Sequence, residues 1–366
     1  MFDLSSWDYF QQMSRYIRQQ IESSGEKNIC AVGFGIAEKK GKIDLERRQC
    51  VRFYVKKKPR TAAQKRKTKH QFEVKESFEI PLSESSSDGH DQYGRKSLSP
   101  RLIMPTDVHQ IGKLVGSTRV ARLKGDASIV TTGVVVRWLL TSQAEPFWGV
   151  LTVAHGYESP VPDSVLLEKT ISEPDMRIRD PLLGGAFKGK RYKQFKPPDE
   201  GVDLALIRVN PQDLVRYNII EDLNLVEPVN VPTLESVISQ DGKSGVALQA
   251  GSDEMISFDV LGVISDQLYF ENVGYVGDLL HVKAAENAFV GGTSGSPYLV
   301  TIRSQGHSIK TVPVAIQVGA DSGTSFQEGY AQSLNVSLRQ MRRRIDEVLQ
   351  PFGEAMFGGF EVMGVF

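Results

Sequence analysis

The stretch Gly291-Gly292-Thr293-Ser294-Gly295-Ser296-Pro297 decides how the rest of the chain is read. Glycine weakens a strand and is used where backbone turns tightly or approaches a ligand, so packing does not explain a serine set between glycines. On such a turn the Ser294 hydroxyl is presented outward. The backbone N–H groups of Gly292 and Ser294 then converge on one point, a candidate oxyanion hole. These parts fit acyl transfer. A serine hydroxyl is a poor nucleophile alone, so the reading requires a histidine base and a carboxylate to orient it.

The chain has six histidines, which keeps the search short. His155 ends the apolar run Leu151-Thr152-Val153-Ala154-His155-Gly156, with Phe147 and Trp148 just before it. This pattern predicts a buried strand delivering one histidine to a loop. Asp203 opens Val202-Asp203-Leu204-Ala205-Leu206-Ile207-Arg208-Val209, a run of strand character. An acid at the start of a core strand needs a partner.

Taken together, Thr152-Val153-Ala154-His155, Asp203-Leu204-Ala205-Leu206 and Gly292-Thr293-Ser294-Gly295-Ser296-Pro297 resemble the three signature stretches of the trypsin-like (chymotrypsin-fold) serine peptidases. The order His155, Asp203, Ser294 is also that family's. The resemblance spans Gly112 to Gln350 and implies a mainly β fold. The architecture expected is a chymotrypsin-like double β-barrel, preceded by a small α+β N-terminal module and closed by a C-terminal helix. It implies Ser294 as nucleophile, His155 as general base and then acid, Asp203 as the group that holds the imidazole, and the Gly292 and Ser294 N–H groups as oxyanion donors. The substrate would be a protein or peptide, and this chemistry requires neither metal nor organic cofactor. A β-rich binding domain, whose glycine turn merely closes a hairpin, leaves the histidine and the aspartate unexplained.

At 366 residues the length prior is about two or three domains. The division expected is an N-terminal module over residues 1–110, a peptidase-like region over 111–350 with barrels near 111–222 and 223–335, and an apolar tail over 351–366. Forty-four basic residues balance forty-four acidic ones, so no global field directs the protein to nucleic acid or membrane. Cys30 and Cys50 are the two cysteines, and Gly156 stands where many relatives of the resembled family carry cysteine after the histidine. The start Met1-Phe2-Asp3-Leu4-Ser5-Ser6-Trp7-Asp8 lacks a basic segment followed by an apolar one. These features lead us to expect a cytoplasmic setting.

Trp7, Phe10, Met13, Tyr16, Ile17 and Ile21 recur at helical spacing within residues 4–23, after caps at Ser5 or Ser6. Runs Ile29–Ala37 and Gln49–Lys57 predict a hairpin covered by that helix, with Cys30 and Cys50 as neighbours across it and Gly33-Phe34-Gly35 as a strand irregularity. Cys50-Val51-Arg52-Phe53-Tyr54-Val55-Lys56-Lys57-Lys58, followed by Ile80-Pro81 and Pro105-Thr106-Asp107-Val108, resembles the small accessory domain ahead of the peptidase domain in some intracellular bacterial and plant trypsin-like proteins. Retention of this module makes a regulatory protein partner acting on residues 1–110 an expectation. Lys56-Lys57-Lys58-Pro59-Arg60 and Lys65-Arg66-Lys67-Thr68-Lys69 read as a solvated linker, and residues 83–99 are polar and Ser-rich. Nucleic-acid contact is the lesser reading of the basic runs, because clustered aromatics are missing there. The segment from Phe187 to Lys196 interleaves bases with aromatics and reads first as a solvated loop.

Short apolar runs predict strands over Thr131–Leu140, Trp148–Val153, Ser244–Gln249, Ile256–Ile264 and Leu279–Val282, and the resemblance implies that Val312–Ala320 forms a strand walling the primary specificity pocket. By the resemblance, Ala288, Gln317, Gly319, Ala320 and Gly329 border a specificity pocket. Ala288 stands where a basic-specific trypsin has an acid. Gln317 stands where glutamyl endopeptidases carry a histidine. Neither specificity is therefore expected, and medium apolar or polar side chains stay open. Thr293 precedes the serine where many trypsin-like zymogens have an aspartate, so the site is expected to be preformed or switched by a partner. Asn335–Leu349 predicts a C-terminal helix with Val336, Leu338, Met341, Ile345 and Leu349 near one face. The apolar tail from Phe352 either packs on the barrels, the preferred reading, or occupies the cleft or docks a neighbour. A protein that keeps the fold as a catalytically silent scaffold is the alternative function.

Overall fold

The computed structural model describes residues 7–23, 28–39, 42–43, 50–57, 77–81, 101–116, 134–142, 144–153, 155, 164–167, 176–179, 201–209, 244–248, 255–271, 273–291, 293–303, 309–353 and 355–362. The basic stretch 58–69, the Ser-rich stretch 83–99, the segment 187–196, the caps Ser5 and Ser6, Gly156 and Gly292 lie outside them. The described chain is mainly β with two α-helices. It divides into two compact units, one of Met1–Ile111 with Gly262–Asp266 and one of Gly112–Leu261 with Gln267–Phe366.

In the first unit, helix α1 (Trp7–Ser23) buries Met13, Ile17 and Ile21, four residues apart and so on one face. Strand β1 (Ile29–Gly35) is followed by a tight pair, β2 (Glu38–Lys39) and β3 (Lys42–Ile43), and then by β4 (Cys50–Val55). β1 and β4 pair antiparallel. β6 (Arg101–Gln110) runs parallel to β4 and antiparallel to β5 (Ser77–Pro81), giving the order β1-β4-β6-β5. The irregularity lies between Ile29 and Ala31, and pairing is regular through Gly33-Phe34-Gly35, which corrects the sequence expectation. Cys50 faces Gly35 and donates its thiol to that carbonyl at 3.2 Å. Cys30 sits at the other end of the pair, so the two free cysteines are not cross-strand neighbours. The fully buried Arg52 bonds Glu38 at 3.0 Å and approaches Asp107 at 3.3 Å, as a buried cation must.

The second unit begins with β7 (Leu114–Gly116), β8 (Val134–Leu140), β9 (Phe147–Thr152), β10 (Ser164–Leu167), β11 (Met176–Arg179) and β12 (Ala205–Val209). It continues with β13 (Ser244–Leu248), β14 (Met255–Ile264), β15 (Leu268–Phe270), β16 (Gly274–Val276) and β17 (Leu279–Lys283). After these come β18 (Pro297–Arg303), β19 (Ile309–Asp321), β20 (Glu328–Ser333), helix α2 (Leu334–Leu349) and β21 (Met356–Val362). Six strands follow the order β13-β18-β19-β20-β17-β14, and β13 also pairs with β14, so this set closes on itself and leaves no open edge within it. A separate four-stranded sheet has the order β12-β9-β8-β21.

The alternation of Val134, Val136 and Trp138 on β8 turns those side chains to a core shared with Leu151, Val153 and Leu204. Helix α2, one residue longer at its start than the sequence suggests, adds Leu334, Leu338 and Met341 to the same cluster. The C-terminal tail supplies β21, antiparallel to β8 with Met356 opposite Leu140 and Val362 opposite Val136. Met356 and Val362 are buried in the cluster, and Phe357 turns outward with 66% of its surface exposed. The tail therefore packs as a strand of its own chain. Among the described residues no helix is long and apolar enough to cross a membrane.

Truncating a buried methionine removes its contacts and leaves a cavity. Met356→Ala is expected to destabilise the protein by about 2–5 kcal/mol, and Phe357→Ala on the outer face by less than about 0.5 kcal/mol. Urea denaturation of the two variants, followed by tryptophan fluorescence, measures both.

Candidate active site

The register between β9 and β12 places the first two polar groups. The strands are antiparallel with Ala205 opposite Thr152, so the residues just before β12 lie beside those just after β9. Asp203 and His155 fall in those two positions. The Asp203 carboxylate uses both oxygens: Oδ1 accepts the His155 backbone N–H at 2.9 Å, and Oδ2 accepts the imidazole Nδ1–H at 2.6 Å. Asp203 is 6% exposed. A buried carboxylate needs such donors, and having them on one residue fixes both the backbone and the ring of His155. An acceptor at Nδ1 assigns the proton to that nitrogen, which leaves a lone pair on Nε2 of the neutral ring. Nε2 is buried and makes no hydrogen bond among the described residues.

Ser294 lies in the turn between β17 and β18. Thr293 N–H and hydroxyl both donate to the Val290 carbonyl, at 3.3 and 2.8 Å, and Ser296 N–H donates to Thr293 at 3.0 Å. Gly295 has φ +91°, a conformation that favours glycine and explains the residue after the serine. The turn is tied to β19 through Gly295 N–H to the Gln317 carbonyl and Gln317 N–H to the Ser296 carbonyl, each 2.9 Å. Where the sequence suggests an outward hydroxyl, Ser294 is buried, 1% exposed, and its hydroxyl donates to the Val318 carbonyl at 3.1 Å because the turn lies against β19. Val318 is the extra residue of an irregularity in the β19–β20 pairing, between Gln317 and Gly319. Bulges of this kind re-aim backbone groups, here a carbonyl toward the serine.

The structure thus joins His155 to Asp203, and it bonds Ser294 to β19. Of the pair of oxyanion donors, Gly292 lies outside the described residues. Ala288 is 6% and Ala320 2% exposed, and both pack in the interior. Gln317 is spent internally, accepting the Tyr298 hydroxyl at Oε1 and donating from Nε2 to the Gly319 carbonyl at 2.6 Å. Burial raises the Tyr298 phenol well above its ordinary pKa, so it stays a donor. A Cβ at Gly329 would lie 2.5 Å from the Tyr298 hydroxyl oxygen and 2.9 Å from the Phe289 ring, so close approach of these rings is what demands glycine there. At Gly319 the neighbours would be the Val115 carbonyl at 2.5 Å and the Phe270 ring at 2.7 Å.

Three contributors escaped the sequence reading: Val318 through its carbonyl, Tyr298 through its hydroxyl, and Gln332, whose side chain bonds the Asp203 backbone. The available signal for the last was a glutamine two residues after Tyr330 and two before Leu334, on the period-two face that both apolar residues share. No protein-family model and no curated protein matches this chain.

Tyr298→Phe strips the buried Gln317 Oε1 of its hydroxyl donor. It is expected to lower stability by about 1–3 kcal/mol in a urea titration.

Proposed function

We propose that this chain is a serine endopeptidase of the trypsin-like kind, with Ser294, His155 and Asp203 as its triad, working on a protein or peptide substrate. The observation that carries the reading is the two-point hold of Asp203 on His155, which leaves Nε2 with a free lone pair. A base prepared in this way has the parts that general-base catalysis asks for.

The chemistry needs the Ser294 hydroxyl to leave the Val318 carbonyl for His155 Nε2. Nε2 then takes the hydroxyl proton as Oγ bonds to the scissile carbonyl carbon. The carbonyl π electrons move to oxygen, where the N–H groups of Gly292 and Ser294 would stabilise the oxyanion. As the tetrahedral species collapses, the C–N bond breaks and imidazolium returns the proton to the leaving amine. Water, deprotonated by the same nitrogen, releases the acid and restores Ser294. Asp203 stays ionised throughout and stabilises the imidazolium. In this reading the four-stranded sheet and the six closed strands belong to the two barrels of the family, and residues 1–110 are the module through which a partner regulates the enzyme.

A second reading, favoured by the Ser294–Val318 bond, is a scaffold that keeps the fold without the reaction. Covalent labelling with a fluorophosphonate serine probe separates the two. The peptidase reading expects labelling of the full-length protein that disappears in Ser294→Ala and His155→Ala. In Asp203→Asn the wrong tautomer is favoured, and the labelling rate is expected to fall by about 10⁴. Labelling that survives Ser294→Ala overturns the assignment, and absence of both labelling and peptide-library cleavage favours the scaffold.

A further inference from the structure

We infer that Gln332 is a positioning residue for the His155–Asp203 pair, an inference that rests on the serine-peptidase reading of the site. Gln332 is 1% exposed and lies in β20, with Leu279 of β17 on one side and Ile316 of β19 on the other. Both backbone neighbours belong to the closed set of six strands, so its backbone is held by ladders on two sides.

Its carboxamide bonds the segment that carries the acid. Oε1 accepts the Asp203 N–H at 2.8 Å, and Nε2 donates to the Gly201 carbonyl, with the Gly277 carbonyl at 3.5 Å. The orientation of the amide follows from its partners, since Asp203 offers only a donor there and Gly201 only an acceptor. A carbonyl and an N–H flanking Val202 are the two groups that one residue of a parallel neighbour strand would bond. The side chain of Gln332 therefore makes the two bonds that a parallel neighbour strand would make. The Gly277 N–H reinforces it, donating to the same Gly201 carbonyl at 3.2 Å.

The consequence for the site is mechanical. The Asp203 carboxylate holds His155 at two points, so any displacement of the Asp203 backbone moves the imidazole with it. Ser294 is anchored on β19, the strand that pairs with β20 at Gln332. Gln332 thus ties the histidine–aspartate arm to the strands that hold the serine. It acts through Asp203 and needs no contact with substrate.

Gln332→Met tests this, because it keeps length and approximate volume and removes both hydrogen bonds. Gln332→Glu keeps the Oε1 acceptor and sets a second acceptor against the Gly201 carbonyl, so it carries the same test if the methionine variant does not fold. Two readouts are taken on full-length protein: the rate of fluorophosphonate labelling, and the low-field proton resonance of His155 Nδ1–H, assigned by its loss in His155→Gln. The expected result is a labelling rate reduced about a hundredfold, as small misplacements of a catalytic group produce, together with loss or broadening of that resonance at unchanged far-UV circular dichroism. An unchanged rate and an unchanged resonance overturn the positioning role. If wild-type protein is not labelled, the peptidase reading is what fails. The resonance then decides alone: its loss in Gln332→Met supports the positioning role, and its persistence overturns it.

Discussion

A carboxylate taken out of water is the constraint around which the second unit is arranged. Left without donors, Asp203 would cost several kcal/mol or take up a proton. It finds its donors on one residue, the N–H and the Nδ1–H of His155, and its own N–H goes to Gln332. Each of these bonds depends on a strand register. The pairing of Ala205 with Thr152 brings acid and histidine side by side, and the pairing of Gln332 with Ile316 and Leu279 sets the amide beneath them. A slip of one residue in any of these ladders would turn the side chains to the opposite face and leave a buried charge unmet.

The packing below the pair comes from distant parts of the chain. Val153 and Leu204, next to the histidine and the acid, share one apolar cluster with Leu338 and Met341 of α2 and with Met356 and Val362 of the last strand. The tail pairs with the side of β8 that β9 leaves open and seats two side chains in the same core. Its apolar composition is explained by that double task.

What a reader of the sequence recovers is what local pattern encodes. Short apolar runs mark β8, β9, β13, β14 and β17 close to their observed limits, and apolar residues at helical spacing mark α1. The mainly β character follows from them. His155 and Asp203 stand out as polar groups at the ends of such runs, but their contact is a property of the β9–β12 register, which no single run carries. The same holds for the tail, whose partner β8 lies more than two hundred residues earlier, and for Cys50, which faces Gly35 where a simple hairpin count sets it against Cys30. Gln332 is the sharpest case. A glutamine in a strand reads as an outward residue, and only the nearby Gly201 carbonyl and Asp203 N–H give the carboxamide a reason to be buried.

The serine side of the site obeys a different balance. A buried Nε2 without a hydrogen bond costs about 1–3 kcal/mol, whereas the Ser294–Val318 bond contributes about 0.5–1.5 kcal/mol net. In the serine-peptidase reading, a hydroxyl turned to Nε2 would satisfy that nitrogen and give up its bond to the Val318 carbonyl, so the exchange of one partner for the other is what that reading asks of the turn.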